Sequence, residues 1–405
     1  MDVDERTLIN NTYTMKVLFF THHFLDDNSG GSFASRAYIN AFTEISDSCM
    51  LLYPDSGKSI SKFINKKCIL KGVKYERSNV GKVIDYYRGR IHRYTDIIIP
   101  QIQEFQPDIV VFDNSRTTAG ILKIAKKTGL KIITIHHNYE MEYYKGTKQF
   151  IAWRYPFMHY MKEAESTAVL YSDLNLTLTD EDIRLLQIHY DPQKTKKIVK
   201  LGSFESATTA MSMNKTVKEI HPIQKNGLCF VITGTLGSHQ TEVSVIPFLE
   251  NEYPELLKLI PGSKLIIAGH HPSNKLKNVC SKFPFVHLIA DPENMQEIID
   301  QADVYICPTC VGGGLKLRIM DGLKAGLPVI THEVSARGYS EFSKANSMFI
   351  YHNTETFRES VNRLVEEINK GNLNNEKIRN LYKSVFSFES GVKRLKEIMY
   401  QNELI

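Results

Sequence analysis

The sequence predicts an α/β protein with two halves of similar size, each built around a doubly wound parallel sheet. Short runs rich in β-branched residues alternate with longer amphipathic stretches along the chain, which is typical of βαβ units. This periodicity fades once, between residues 203 and 226, where bulky apolar residues are scarce. At 405 residues the chain is long enough for two separate cores.

The pattern divides the chain into five parts: a polar N-terminal extension (1–14), a Rossmann-like domain (15–205), a linker (206–226), a second Rossmann-like domain (227–385) and a terminal helix (386–405). Strands are expected first at 16–21, 49–53, 109–113, 131–135, 174–178 and 197–201, and then at 228–233, 264–268, 285–289, 303–307, 328–331 and 347–351. Helices are expected at 32–45, 117–127, 180–189, 241–259, 273–282, 293–301, 315–325 and 354–369.

Composition favours a reduced, cytoplasmic protein that does not bind nucleic acid. The formal net charge is +5, but basic and acidic residues are interleaved along most of the chain. The basic segment 194–200 is interpreted as a solvated face, and peripheral contact with the inner face of an anionic membrane is the alternative. No apolar run suggests a signal peptide or a membrane span.

The six cysteines are scattered, and two of them, Cys307 and Cys310, form a C-x-x-C pair. Such a pair raises the possibility of a zinc or redox site. A structural zinc site needs a second pair of ligands, and no matching unit accompanies this one. We therefore expect no metal and no cofactor.

The most informative stretch is the glycine run Gly312–Gly314, between a buried strand and a helix expected to open with Leu315 and Lys316. Glycines there let backbone N–H groups approach an anion, and the helix dipole adds positive charge, so a phosphate site is predicted. Lys316 is the better anion ligand by position, because Arg318 lies about 200° further round the helix. Asp321 either pairs with Arg318 or accepts hydrogen bonds from a ribose.

Three histidine pairs follow strand-like runs, where a doubly wound sheet presents its ligands: His22 and His23, His136 and His137, and His270 and His271. We expect at least one of these histidines to be functional. Gly30 and Gly31 form a second glycine turn before a helix. They match neither the Walker A loop nor the dinucleotide fingerprint, so a nicotinamide enzyme is disfavoured.

The segment GGGLKLRIMDGLKAGLPVI, preceded by ADVYICP, resembles the donor-binding signature of the GT-B fold glycosyltransferases of family 4, the group 1 kind. Further segments agree with this family in order: MKVLFFTHHF, HHNYEMEYY, LTDED, GTLGS and KLIIAGHHP. The resemblance implies two Rossmann-like domains facing a central cleft and a C-terminal helix that crosses back to the first domain. It also implies a retaining, metal-independent transfer from a nucleoside-diphosphate sugar, most often a UDP-sugar, to a glycan or lipid-linked acceptor.

The resemblance also implies roles for individual residues. Lys316 would stabilise the diphosphate leaving group, and His137 would approach the transferred sugar. The implied donor-binding residues are Gly30, Gly31, Thr235, His271, Gly312, Gly313, Gly314, Leu315, Arg318 and Asp321. Residues assigned to the acceptor side are His22, His23 and His136, the last also a less favoured substitute for His137.

Two departures from the family pattern bear on the donor. The pattern has two glutamates flanking the glycine loop, and this chain has a glycine where the first would fall and Asp321 at the second. The basic pair expected after GTLGS is replaced by His239–Glu242, so Thr235 or His239 would have to substitute for it. These changes leave the sugar open and increase the importance of Lys316 and Arg318.

Two other functions remain compatible with the sequence. A nonhydrolysing sugar-nucleotide epimerase has the same fold and would convert the donor without an acceptor. A two-domain sugar-binding protein is the second alternative, but it does not require a diphosphate site formed by a glycine loop and a helix. The sequence does not indicate the oligomeric state.

Overall fold

The computed structural model describes residues 14–27, 29–74, 95–117, 122, 126, 129–147, 155–207 and 227–405. Within these residues the strands form two parallel sheets, one from each half of the chain. Three sequence predictions fall outside the described part, wholly or in large part: the N-terminal extension, the helix at 117–127 and the linker. These three stay predictions.

The first sheet has seven strands in the order β3-β2-β1-β4-β5-β6-β7, and all of its described pairs are parallel. Its strands are β1 (Lys16–Thr21), β2 (Ser48–Asp55), β3 (Ile69–Lys74), β4 (Ile109–Asp113), β5 (Lys131–His136), β6 (Leu174–Thr177) and β7 (Ile198–Lys200). The strand order reverses direction between β1 and β4, which is the topological switch point of a doubly wound sheet.

The second sheet has six strands in the order β10-β9-β8-β11-β12-β13, again parallel. Its strands are β8 (Cys229–Thr235), β9 (Lys264–His270), β10 (Val286–Ala290), β11 (Val304–Cys307), β12 (Val329–His332) and β13 (Met348–Tyr351). Its switch point lies between β8 and β11. The predicted architecture of two doubly wound parallel sheets is therefore confirmed.

Helices connect these strands and cover both faces of each sheet. Those described are α1 (Gly30–Ile45), α2 (Thr95–Phe105), α3 (Glu140–Thr147), α4 (Tyr155–Tyr171), α5 (Asp180–Tyr190), α6 (His239–Leu259), α7 (Asn274–Cys280), α8 (Met295–Ile299), α9 (Arg318–Ala325), α10 (Glu333–Ala336), α11 (Ser340–Lys344), α12 (Thr354–Asn369), α13 (Asn375–Phe386) and α14 (Phe388–Gln401). Because helices lie on both faces, strands such as β4 and β11 are buried along their whole length.

The predicted return of the C-terminal helix to the first domain is also confirmed. The apolar stripe of α14, formed by Leu395, Ile398 and Met399, belongs to the same hydrophobic core as β1 and α1 of the first sheet. Arg394 extends this attachment by donating hydrogen bonds to the carbonyl oxygens of Leu201 and Ser203. Helix α14 is therefore part of the first domain, although it follows the second domain along the chain.

Gly391 provides the closest approach in this attachment, since a Cβ at this position would lie 2.1 Å from Cγ of Phe204. We expect Gly391→Ala to destabilise the protein by about 1–3 kcal/mol, because overpacking a close contact outweighs the better helix propensity of alanine. Chemical denaturation measures the change. Lys396→Ala, an exposed position on the same helix, is the matched control with an expected change within about 0.5 kcal/mol.

Two local predictions at the glycine segments are wrong. Helix α9 begins at Arg318 rather than Leu315, because Gly314 takes a left-handed φ of 68° and no side chain caps the helix at Leu317. Helix α1 begins at Gly30, where the sequence predicted a turn, because the side chain of Ser29 caps the helix by accepting the N–H of Ser32.

A helix that crosses a bilayer needs about 20 consecutive, predominantly apolar residues. None of the described helices combines such a length with the necessary apolar character.

Candidate active site

The candidate site lies where the switch points of the two sheets face each other. In the first domain, His22 and His23 follow β1, and Asp113 ends β4. In the second domain, Thr235 ends β8, and the glycine loop follows β11. Because ligands of doubly wound sheets bind outside the carboxyl ends of the strands at this point, both domains present their binding edges to one crevice.

The glycine loop leaves a run of backbone donors without partners. Gly312 and Gly314 have φ angles of 84° and 68°, and the three loop glycines are buried. From Gly313 to Leu317, five consecutive backbone N–H groups have no hydrogen-bond acceptor among the described residues. Buried N–H groups are almost always paired, so a run of unpaired ones at the start of a helix is a place for an anion.

Lys316 lies beside these donors and is 7% exposed. Its Nζ donates a hydrogen bond to the carbonyl oxygen of Gly313 at 2.8 Å, and within the described part of the chain it forms no ion pair. Burial lowers the pKa of Lys316 from 10.5 to about 8. The charged amine is therefore costly in the free protein, and a bound anion would relieve that cost.

Arg318 extends the basic group toward the first strand of the second sheet. Its Nη1 donates to Oγ1 of Thr241 at 3.3 Å, and its guanidinium lies over Gly234, where a Cβ would be 2.7 Å from Nη1. Arg318 thus reaches the GTLGS loop, where the sequence lacks the expected basic pair. Its hydrogen bond goes to Thr241 rather than to Asp321, whose side chain is exposed.

Two other residues predicted to bind the donor, Thr235 and His271, lie further from the glycine loop in their described contacts. Thr235 is exposed at the end of β8. The backbone oxygen of His271 packs against Gly237, where a Cβ would lie 2.2 Å away. The side chain of His271 points outward beside Asp291, with 84% of its surface exposed. No contact described for His271 reaches the glycine loop.

A buried carboxylate hydrogen-bonded to a histidine ring forms the first-domain side of the site. Nε2 of His137 lies 2.6 Å from Oδ1 of Asp113, which is completely buried. Thr21 donates its hydroxyl to Oδ2 of Asp113 at 2.7 Å, and Ser35 donates to the same oxygen. Burial alone would raise the pKa of Asp113, but the charge and hydrogen bonds of its partners outweigh burial and lower it. Asp113 is thus an ionised carboxylate that fixes the ring of His137.

His23 completes this cluster. Its ring centroid is 5.2 Å from that of His137 and 4.1 Å from that of His22. Burial lowers the pKa of His23 to about 4, so its ring is neutral near pH 7, and Nε2 is buried with no partner in the described part of the chain. Gly31 makes room for the ring, since a Cβ there would lie 2.4 Å from Cε1 of His23.

The same cluster contains the residues that could hold a metal ion. One ligand atom each from His23, Asp113 and His137 lies within 4.8 Å of the others, and no second group of this kind occurs within the described ranges. The sequence predicted no metal, because the C-x-x-C pair has no second pair of ligands. Folding brings these three residues together from separate strand ends, and the absence of a metal stays a prediction.

His136 does not face the crevice with its neighbour. Its side chain is completely buried, and Nε2 lies 3.0 Å from Oδ1 of Asn175 on the adjacent strand β6. Burial lowers the pKa of His136 to about 4. An acceptor-side role for His136 therefore does not fit this placement, because adjacent residues of an extended strand point to opposite sides.

Gly30 and Leu315 lie where the two domains touch. A Cβ on Gly30 would lie 3.4 Å from Cδ1 of Leu317, so the start of α1 faces the glycine loop. Leu315 packs against the hydrophobic cores of both domains. The loop that presents the unpaired N–H groups is thus held from both sides.

Sequence reasoning missed Asp113, the carboxylate that organises the first-domain cluster. A signal was available, because the strand IVVFD ends in a carboxylate at the binding edge of the sheet. It also missed Glu142, which forms an ion pair with Arg337 of the other domain at 2.8 Å. No local pattern indicates that pair, since 195 residues separate its members.

Comparison with known proteins agrees with this arrangement. Residues 225–367 match the family model described as glycosyl transferases group 1. No curated protein sequence matches the chain.

Solved structures with the same fold cover nearly the whole chain. A glycosyltransferase from Rickettsia africae ESF-5 gives a TM-score of 0.67 at 14% identity, over 96% of this chain and 99% of that one. Alr3699/HepE of Anabaena in complex with UDP gives 0.65 at 9% identity, over 96% and 100%. WaaG, a glycosyltransferase involved in lipopolysaccharide biosynthesis, gives 0.58 at 16% identity, over 94% and 99%. The chain therefore has the GT-B fold, and the resemblance predicted from its motifs is confirmed.

Proposed function

We propose that this chain, with its GT-B fold and a second domain of the group 1 glycosyltransferase type, transfers a sugar from a nucleoside diphosphate to an acceptor hydroxyl. One observation carries the proposal: five unpaired backbone N–H groups lie beside the buried amine of Lys316, in a loop that contacts the first domain. A diphosphate satisfies both the donors and the charge. The structures of HepE with UDP and with UDP-glucose support a UDP-sugar as the donor.

The second domain stabilises the leaving group. As the bond between the anomeric carbon and the phosphate oxygen breaks, negative charge grows on the diphosphate. The N–H groups of Gly313–Leu317 and the amine of Lys316 meet that charge with fixed donors, which need no reorganisation during the reaction. Arg318 adds a second positive charge from the side of the GTLGS loop.

The transfer proceeds with retention of configuration, as the family resemblance implies. The sequence offers no convincing carboxylate nucleophile for the far face of the sugar, so the acceptor hydroxyl attacks from the face that the diphosphate leaves. The new bond joins the acceptor oxygen to the anomeric carbon, and the departing phosphate oxygen takes the acceptor proton. His137, oriented by Asp113, holds the sugar from the first domain.

The acceptor is a glycan or a lipid-linked glycan that binds on the first-domain side, near His22 and His23. If it is lipid-linked, the basic segment 194–200 is the candidate for peripheral membrane contact. Lys194 and Lys197 are exposed there, whereas Lys200 pairs with Asp180 at 2.6 Å. Cosedimentation with vesicles containing phosphatidylglycerol, compared with neutral vesicles, tests this contact.

A donor screen followed by a turnover assay tests the function. A matching nucleoside-diphosphate sugar raises the melting temperature by mass action, with about 2.7 kcal/mol of stabilisation at 100 times its Kd. The best donor is then incubated with candidate glycan acceptors, and release of the nucleoside diphosphate is followed. Epimerised donor formed without an acceptor would instead identify a sugar-nucleotide epimerase. Stabilisation by no nucleotide would contradict both functions.

Chelation tests the metal-independent mechanism. We expect turnover to stay within about twofold after treatment with EDTA and dialysis, because fixed N–H groups, Lys316 and Arg318 replace a divalent ion at the diphosphate. Loss of activity that is restored by a divalent metal would contradict the mechanism and point to His23, Asp113 and His137 as the ligands.

A further inference from the structure

Helix α3 of the first domain lies directly on the glycine loop of the second. A Cβ on Gly146 would lie 2.3 Å from the backbone nitrogen of Gly312, and one on Gly313 would lie 3.1 Å from Oε2 of Glu142. A larger residue at position 146 would therefore collide with the loop backbone. A side chain at position 313 would thus begin in tight contact with the carboxylate of Glu142.

The charge of Glu142 is balanced across the domain boundary. Its Oε2 lies 2.8 Å from Nη1 of Arg337, and the two side chains are 32% and 21% exposed. A partly exposed ion pair contributes at most about 1 kcal/mol, so stability alone gives little reason for a carboxylate here. Arg337 does allow a carboxylate to lie beside a site for a doubly charged anion, because it offsets their repulsion.

A sugar at this site needs acceptors for its hydroxyl groups. The groups that surround the proposed diphosphate position are donors: the backbone N–H groups of Gly313–Leu317 and the side chains of Lys316 and Arg318. The carboxylate of Glu142 contacts this loop at Gly313. A sugar attached to the diphosphate extends toward the first domain, where this carboxylate can accept a hydroxyl hydrogen bond.

We propose that Glu142, although it lies in the first domain, binds a hydroxyl of the transferred sugar and determines which sugar is accepted. The assignment rests on the proposed function of the site. The assignment also accounts for the glycine that stands where the family pattern has its first glutamate. In this chain the carboxylate of Glu142, from the facing helix α3, would take the place of that glutamate. The donor sugar is thus recognised only when both domains are in contact with it.

The test compares UDP with a UDP-sugar in the variant Glu142→Gln. The probes are UDP and whichever of UDP-glucose, UDP-galactose and UDP-N-acetylglucosamine the wild-type protein binds best. Isothermal titration calorimetry measures both affinities. We expect UDP affinity to stay within about twofold, and affinity and kcat/KM for the UDP-sugar to fall about 10- to 100-fold, the loss typical of a hydrogen bond to a charged group.

Arg337→Met is the matched control, because it breaks the same ion pair but keeps the carboxylate. In Arg337→Met the negative charge of Glu142 is no longer balanced and repels the diphosphate, so the affinity for UDP itself should fall. In Glu142→Gln, by contrast, the affinity for UDP should be nearly unchanged. If both variants lost the same affinity for UDP as for the UDP-sugar, Glu142 and Arg337 would only hold the two domains together. That result would overturn the assignment. Unchanged sugar binding in Glu142→Gln would also overturn it, while leaving the proposed function intact. Failure of the wild-type protein to bind UDP would overturn the function and the assignment together.

Discussion

Replacing Lys316 with methionine is expected to lower turnover by about 10²- to 10³-fold, the usual effect of removing one group that stabilises transition-state charge. The side chain of Lys316 is buried without a carboxylate partner among the described residues, so methionine fills similar space and relieves the cost of a buried charge. The variant should therefore fold at least as stably as the wild type. Steady-state release of the nucleoside diphosphate measures the loss, and Lys316→Ala should give the same result.

The uptake of a proton when UDP binds provides a second test of the role of Lys316. Burial lowers the pKa of Lys316 to about 8, and a bound diphosphate raises it again. Binding UDP between about pH 8 and pH 10 should therefore take up a proton, and affinity should fall by up to about tenfold per pH unit across that window. Calorimetry in buffers of different ionisation enthalpy detects the proton. The exposed Lys282→Ala variant should behave as wild type. Normal turnover in folded Lys316→Met would contradict the assigned role.

Replacing Asp113 with asparagine is expected to impair both stability and turnover. Removing the buried carboxylate charge weakens its hydrogen bonds with His137, Thr21 and Ser35, and the loss of one hydrogen bond to a charged group costs about 1.5–3 kcal/mol. The pKa of Asp113 is lowered in the folded protein, so the stability it contributes is present above its ordinary pKa and is lost as the pH falls through the lowered one. The deficit of Asp113→Asn should therefore shrink at acid pH, as measured by denaturation at several pH values.

The effect of Asp113 on activity is expected through His137. Without the negative carboxylate, the ring of His137 loses its hydrogen bond to a charged partner, which fixes the ring where it holds the sugar. We expect turnover to fall about 10- to 100-fold, less than the roughly 10²- to 10⁴-fold effect of a proton-transfer group, because His137 holds the sugar and does not take the acceptor proton. Ser35→Ala, which removes a donor but keeps the carboxylate charge, is the matched control. An unchanged kcat/KM in folded Asp113→Asn would show that Asp113 has a purely structural role.

The sheets could be predicted from the sequence because buried parallel strands carry a strong local signal. Strands β1 and β4 match their predicted limits, since each is a short apolar run with polar residues at its ends. Helix α4 escaped prediction, because several of its residues are buried against neighbouring elements and no single apolar stripe marks it. Helix α5 was predicted together with its cap, because Thr179 bonds to the backbone within the same turn.

The site was less predictable than the sheets, because its groups come from distant parts of the chain. The glycine loop and Lys316 are contiguous, so their pattern by itself indicates an anion site. The pairing of Asp113 with His137 depends on the neighbouring positions of β4 and β5 in the sheet. The contact of Glu142 with Gly313 depends on how the domains face each other. Neither the pairing nor the contact can be predicted from a local sequence pattern.

The return of α14 to the first core has a consequence for how the two domains can move. Because α14 belongs to the first domain, the polypeptide returns from the second domain to the first at the junction of α13 and α14. Any rotation that opens the crevice must therefore also bend the chain at this junction, where Ser387 separates the two helices. The first domain is also discontinuous in sequence, so truncation at residue 386 would expose the core around Phe204 rather than release a self-contained module.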